Sequence, residues 1–127
     1  MTNPLASRIA AFTGGLAVAL GAFGAHGLKE ILIRHETAAI WEKAVLYHFV
    51  HALMLFMLAG RQPLSRGPWW SFLVGILFFS GSLYLLALTN MRWLGAVTPI
   101  GGLGFMVGWV WLVVRPGMVD LGSGMRR

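Results

Sequence analysis

Val45–Gly60 reads VLYHFVHALMLFMLAG, a run without one charged side chain that nevertheless holds two histidines three residues apart. At about 1.5 Å per residue, such a run comes close to crossing a hydrocarbon layer of about 30 Å as a helix. It shows no alternation with a period of two. An irregular or open-edged backbone in lipid would leave unpaired amides costing several kcal/mol each, so a helix over 44–60 is the reading. Three more segments lack charge or nearly so. With their flanks they predict helices over 9–26, 69–89 and 93–114, and the four together occupy most of the chain.

The expected fold is therefore all-α: an integral membrane four-helix bundle in which residues 1–127 form one domain. Composition agrees, with 57% hydrophobic and 11% charged residues. The first helix could instead be a cleaved signal peptide, but only Arg8 supplies a basic start and cleavage would discard glycines suited to packing. A net charge of +6 raises nucleic acid as a partner. The basic residues, however, are scattered at segment ends instead of lining a face, so they read as topology signals and nucleic acid is not expected. With no cysteine, disulfides, thiolate catalysis and cysteine-ligated clusters are excluded.

Four spans put both termini on one side. That side gathers Arg8, Arg61, Arg66, Arg115, Arg126 and Arg127 against Asp120; the other gathers Lys29, Arg34, Lys43 and Arg92 against Glu30, Glu36 and Glu42. The bias of Lys and Arg toward the inside predicts cytoplasmic termini in the cytoplasmic (inner) membrane. The loop RQPLSRGP, with Pro63, Gly67 and Pro68, is a short turn. Residues 28–43, LKEILIRHETAAIWEK, place Leu28, Ile31 and Leu32 at helical spacing, with Glu30 four residues before Arg34. This predicts an amphipathic helix lying in the outer interface, with Trp41 anchoring the next span; a solvated loop is the alternative.

Helix one carries Gly14, Gly15, Gly21 and Gly24, and helix four carries Gly101, Gly104 and Gly108. Lipid gives helices no hydrophobic drive to associate, so close backbone approach at small residues must supply it. The expectation is packing through Gly21, Gly24, Gly101, Gly104 and Gly108 between helices one and four, within one chain or across a homo-oligomer.

Polar side chains fall at one level. Counting from Ala44 places His48 and His51 about 6 and 10 Å inside, and counting from Thr89 places Tyr84, Ser82 and Ser80 about 7, 10 and 13 Å inside. His26 ends helix one and Thr98 lies near the outer start of helix four. His48 and His51 share a helical face, and polar groups in a bilayer seek one another. His26, His48, His51, Ser80, Ser82, Tyr84 and Thr98 are thus expected to form an inward-facing cluster in the outer leaflet. Thr98-Pro99 reads as a helix start, which would leave Trp93–Val97 non-helical; a kinked continuous helix is the alternative.

GAFGAHGLK, the spaced Trp41, Ala44, Tyr47, His48 and His51, FFSGSLYLLALT and WLGAVTPIGG resemble the family of small membrane proteins called domain of unknown function 423, the YgdD/YwdK-like group. The resemblance spans nearly the whole chain and implies a four-helix inner-membrane protein, without an activity to carry over.

Three functions compete. In the first, a non-enzymatic protein uses its histidines as interhelical hydrogen-bonders, with membrane lipid or another amphiphile entering an outer-leaflet polar cleft. In the second, His48, His51 and Tyr84 conduct protons, ions or a small solute, although nothing titratable continues through the inner leaflet. In the third, His26, His48 and His51 bind metal or haem, against which no carboxylate lies within the spans. No cofactor is expected. An enzyme is not supported, since the chain has no nucleophile elbow, phosphate loop or paired intramembrane carboxylate.

Overall fold

The computed structural model describes residues 3–61 and 63–115, and every regular element among them is helical. In chain order these are α1 (Pro4–Ala25), α2 (Lys29–Arg34), α3 (Ala38–Ala59), α4 (Arg66–Gly75), a π-helical turn (Ile76–Ser80), α5 (Gly81–Thr89), a 3₁₀ turn (Arg92–Ala96) and α6 (Thr98–Val114). Four stretches are long and apolar enough to cross a membrane: Pro4–Ala25, Ala38–Ala59, Arg66–Thr89 and Arg92–Val114. The topology signals Asp120, Arg126 and Arg127 lie outside the described residues.

The first span begins at Pro4, earlier than hydropathy suggests. The Asn3 side chain accepts from the Ala6 amide at 3.1 Å, and Pro4 follows in the first turn. Asparagine satisfies an orphan amide there and proline lacks the donor that would go unpaired, so this pair starts a helix regardless of where the apolar run begins.

The segment over 28–43 is not one interfacial helix. α2 stops at Arg34, and Glu36 adopts φ 56°, a left-handed conformation that breaks helical continuation. α3 then begins at Ala38, so Trp41, Glu42 and Lys43 ride on the spanning helix itself. Trp41 is correspondingly buried, not an interfacial anchor, and packs with Leu32 and Ala87.

The third span runs unbroken from Arg66, with the π turn inserted near its middle. Trp93–Val97 is neither irregular nor part of a kinked α-helix. A 3₁₀ turn leads into α6, with Val97 already helical and Pro99 in the first turn, where it leaves no amide wanting.

The spans pack in sequence order: α1 on α3, α3 on the third span, and the third span on α6. α1 and α6 make no substantial helix–helix contact, which corrects the expected pairing of helices one and four. Their glycines serve other neighbours. A Cβ on Gly24 would overlap the Trp41 indole, and one on Gly21 would lie 3.3 Å from Val45. One on Gly101 would strike the backbone of Phe79, one on Gly108 would strike the Phe72 ring, and one on Gly104 would approach the Ser71 carbonyl at 3.2 Å. Gly101 and Gly108 are thereby buried within the chain, whereas Gly21, Gly24 and Gly104 stay partly exposed. Toward the termini the core gathers Ala10, Leu55, Leu58, Phe72, Ile76 and Phe105.

Candidate functional site

Side-chain hydrogen bonds tie the spans together. The Trp41 indole donates to the Leu20 carbonyl at 2.9 Å, joining α3 to α1 across Gly24. His48 Nδ1 and the Tyr84 hydroxyl are 2.8 Å apart, and Ser80 donates to the Ala44 carbonyl at 2.7 Å; both join α3 to the third span. Ser82 and Thr98 pair through their hydroxyls at 2.7 Å, joining the third span to α6. The Trp109 indole donates to His51 Nε2 at 3.0 Å, joining α6 to α3. Each tie replaces a water that lipid cannot offer, which is why these groups turn inward.

His51 is the most enclosed of them. Its ring stacks on Phe105 with centroids 3.7 Å apart, and Phe72, Trp109 and Tyr47 complete an aromatic surround. The Tyr47 carbonyl, 2.8 Å from Nδ1, can only accept, and the Trp109 N–H can only donate. His51 therefore carries its proton on Nδ1 and offers its Nε2 lone pair to the indole. With both nitrogens engaged, it has no atom left for a metal.

His48 is 2% exposed, and its Nε2 closes no hydrogen bond although the ring also lies beside the backbone of Thr13. No hydrogen bond joins His48 to His51. The two share a helical face yet serve different neighbours, so they form two ties instead of one relay. Moreover, His51 stands about 20 Å from the start of α3 and about 12 Å from its end. The polar row thus extends slightly past the midpoint of α3.

His26 does not join this group. α1 ends at Ala25, and His26 is an exposed capping residue whose amide bonds the Phe23 carbonyl. Among the described residues, no three His, Cys, Asp or Glu side chains gather closely enough to hold a metal ion.

Three further contributors lie at the end of the bundle away from the termini. Thr37 Oγ1 donates to the Ala87 carbonyl at 2.8 Å, and His35 Nδ1 reaches the same oxygen at 3.1 Å. Carbonyls in the last turn of a helix lack intrahelical donors, so the α2–α3 connection caps α5 from outside. Arg92 in turn donates to the His35 carbonyl at 3.1 Å. No periodic pattern signals these contacts; Trp41 and Trp109, by contrast, each carry an indole N–H that usually finds an acceptor when enclosed, although the buried Trp69 indole N–H has none.

Several cavities open on the bundle: one of about 400 Å³ borders Ser82 and Tyr84 of the polar row, and an apolar groove of about 430 Å³ lies between α1 and α3. Ala17, Val18, Gly21 and Gly24 form one wall; Trp41, Val45, Leu46 and Phe49 form the other. It runs from Phe49 to Ala38, about 16 Å along α3, and Leu32 of α2 closes the end away from the termini. The α1 wall is low because its residues are small, and at Gly24 the Trp41 indole packs directly against it.

The family described as "Protein of unknown function (DUF423)" matches residues 20–102. A "UPF0382 membrane protein" of Staphylococcus epidermidis is 46% identical over 110 residues, covering 84% of this chain and 89% of that protein. The "UPF0382 membrane protein YwdK" of Bacillus subtilis is 45% identical over 106 residues, covering 78% and 85% respectively. No solved structure matches. The matched region includes Trp41, His48, His51 and Tyr84 and the groove residues from Gly21 to Phe49, and with relatives named as membrane proteins along most of its length, this chain is an integral membrane protein belonging to the DUF423 family.

Proposed function

We propose that this is a non-enzymatic protein of the cytoplasmic membrane, with both termini cytoplasmic, that holds the apolar chain of a lipid or related amphiphile in the α1–α3 groove. The observation that carries the reading is the groove itself. It is apolar along its walls, open to the surroundings of the bundle, and about 16 Å long, close to half of a hydrocarbon layer of about 30 Å. With the termini inside, it belongs to the outer leaflet. The interhelical ties support the same reading: they fix α1 and α3 relative to the rest, so that the groove persists when empty and an amphiphile need not order it on entry.

Conduction and metal binding have less support. His51 is held neutral between a carbonyl and an indole, and His48 contacts Tyr84 without continuing to His51.

Native mass spectrometry of the protein extracted from membranes in mild detergent tests the reading. The wild-type chain should retain lipid. Val18→Trp, at an exposed groove residue, should occupy the space and lower the retained fraction while leaving helix content and melting temperature unchanged. Absence of retained lipid in the wild type, or equal retention in the filled variant, would count against it.

A further inference from the structure

The groove has two unlike ends. Toward mid-bundle it is lined by Ala17, Val18, Leu46 and Phe49, which carry no polar side-chain atom. Toward the outer end stands Glu42, the one charged side chain among the described residues that line it. The Trp41 indole beside it is already committed to the Leu20 carbonyl. Glu42 is exposed and lies about 6 Å along α3 from Ala38. An amphiphile whose tail fills the apolar end therefore brings its headgroup to a carboxylate.

Resting on the reading of this groove as an amphiphile site, we propose that Glu42 selects a headgroup bearing a primary ammonium group, as in phosphatidylethanolamine. A carboxylate offers only acceptors, and an –NH₃⁺ group offers three donors with the complementary charge, so the pair forms a charge-assisted hydrogen bond. A choline headgroup has the charge without an N–H. A glycerol headgroup has hydroxyls without the charge, and its phosphate meets the carboxylate uncompensated. The expected order is ethanolamine, then choline, then glycerol.

The experiment offers the purified full chain, stripped of lipid, equal amounts of phosphatidylethanolamine, phosphatidylcholine and phosphatidylglycerol with identical acyl chains, and counts adducts by native mass spectrometry. Ethanolamine lipid should be retained about three- to fivefold over glycerol lipid, the range open to a solvent-accessible ion pair. Glu42→Gln should bring that ratio near one with total retention little changed, whereas Glu36→Gln, away from the groove, should leave the ratio as in the wild type. Equal retention of all three lipids, or an ethanolamine preference that survives Glu42→Gln, overturns the headgroup assignment while the groove reading stands. Retention of none overturns both.

Discussion

The indole of Trp109 donates its N–H to His51 Nε2 at 3.0 Å, bridging α6 and α3 within a surround of Phe72 and Phe105. Of the four neighbours around His51, this is the one that fixes the ring's tautomer from another span. Removing either partner leaves the other with an unpaired polar atom in an apolar setting, and interhelical hydrogen bonds in membranes contribute about 0.6–2 kcal/mol. Trp109→Phe and His51→Leu should each lower the unfolding midpoint in mixed micelles. The double variant should lose less than the two single losses combined by about that amount, a coupling that an equilibrium unfolding cycle measures. Additive losses would mean the bond contributes nothing.

Gly101 presents the second case, because no side chain can stand between it and the backbone of Phe78 and Phe79 at the π turn. Gly101→Ala must push α6 off the third span, a change of the overpacking kind that costs about 1–3 kcal/mol. Gly102→Ala, whose new methyl would lie 3.9 Å from the Phe79 ring, is the control. It should fall within about 0.5 kcal/mol of wild type, as expected of a substitution that meets only ordinary contact. Thermal melting in detergent separates the two.

Span number and helical class were legible because the bilayer imposes them: an uncharged run near the membrane thickness has few other solutions. Boundaries were less so, and for different reasons at each end. Asn3-Pro4 is a strong start signal that hydropathy overlooks, since it precedes the apolar run. The break at Glu36 depends on a left-handed φ in a residue type that rarely adopts it, and no pattern announces that. The π turn likewise has no local signature; it becomes intelligible only once Gly101 is seen pressed against it.

The polar residues divide the same way. His48, Tyr84, Ser82 and Thr98 stand out because a hydrophilic side chain in lipid demands a partner, and the structure gives each one. His26 is grouped with them by its place at the end of helix one, yet it lies one residue beyond the helix end and is exposed. Residue type alone points Trp41 to the interface, while its indole is used inside the bundle, where Gly24 leaves room for it.

Thr37 supplies a third prediction. Its buried hydroxyl and the His35 ring share the Ala87 carbonyl, so this connection fastens the end of α5 away from the chain termini. Thr37→Val keeps the shape and removes the donor, and should cost about 1 kcal/mol, the net worth of one such hydrogen bond. The loss should be local: amide exchange at Ala87–Thr89 and across α2 should quicken, while that of α6 stays as in the wild type. Uniform acceleration through the bundle would show instead that Thr37 supports the whole fold.

Orientation is testable because the chain has no cysteine, so any cysteine introduced is the sole reactive thiol. His26 is exposed at the end of α1, and Ser65 lies in the connection ahead of α4, at the opposite end of the bundle. Neither is charged in the count of Lys and Arg that directs insertion, so replacing them leaves the topology signals intact. In intact cells, His26→Cys should react with a membrane-impermeant maleimide and Ser65→Cys should not; after the membrane is permeabilised, both should react. The reverse pattern would place the termini outside and move the groove to the inner leaflet. Glu42 would then face cytoplasmic headgroups, so the lipid offered to the groove, and not its chemistry, is what orientation decides.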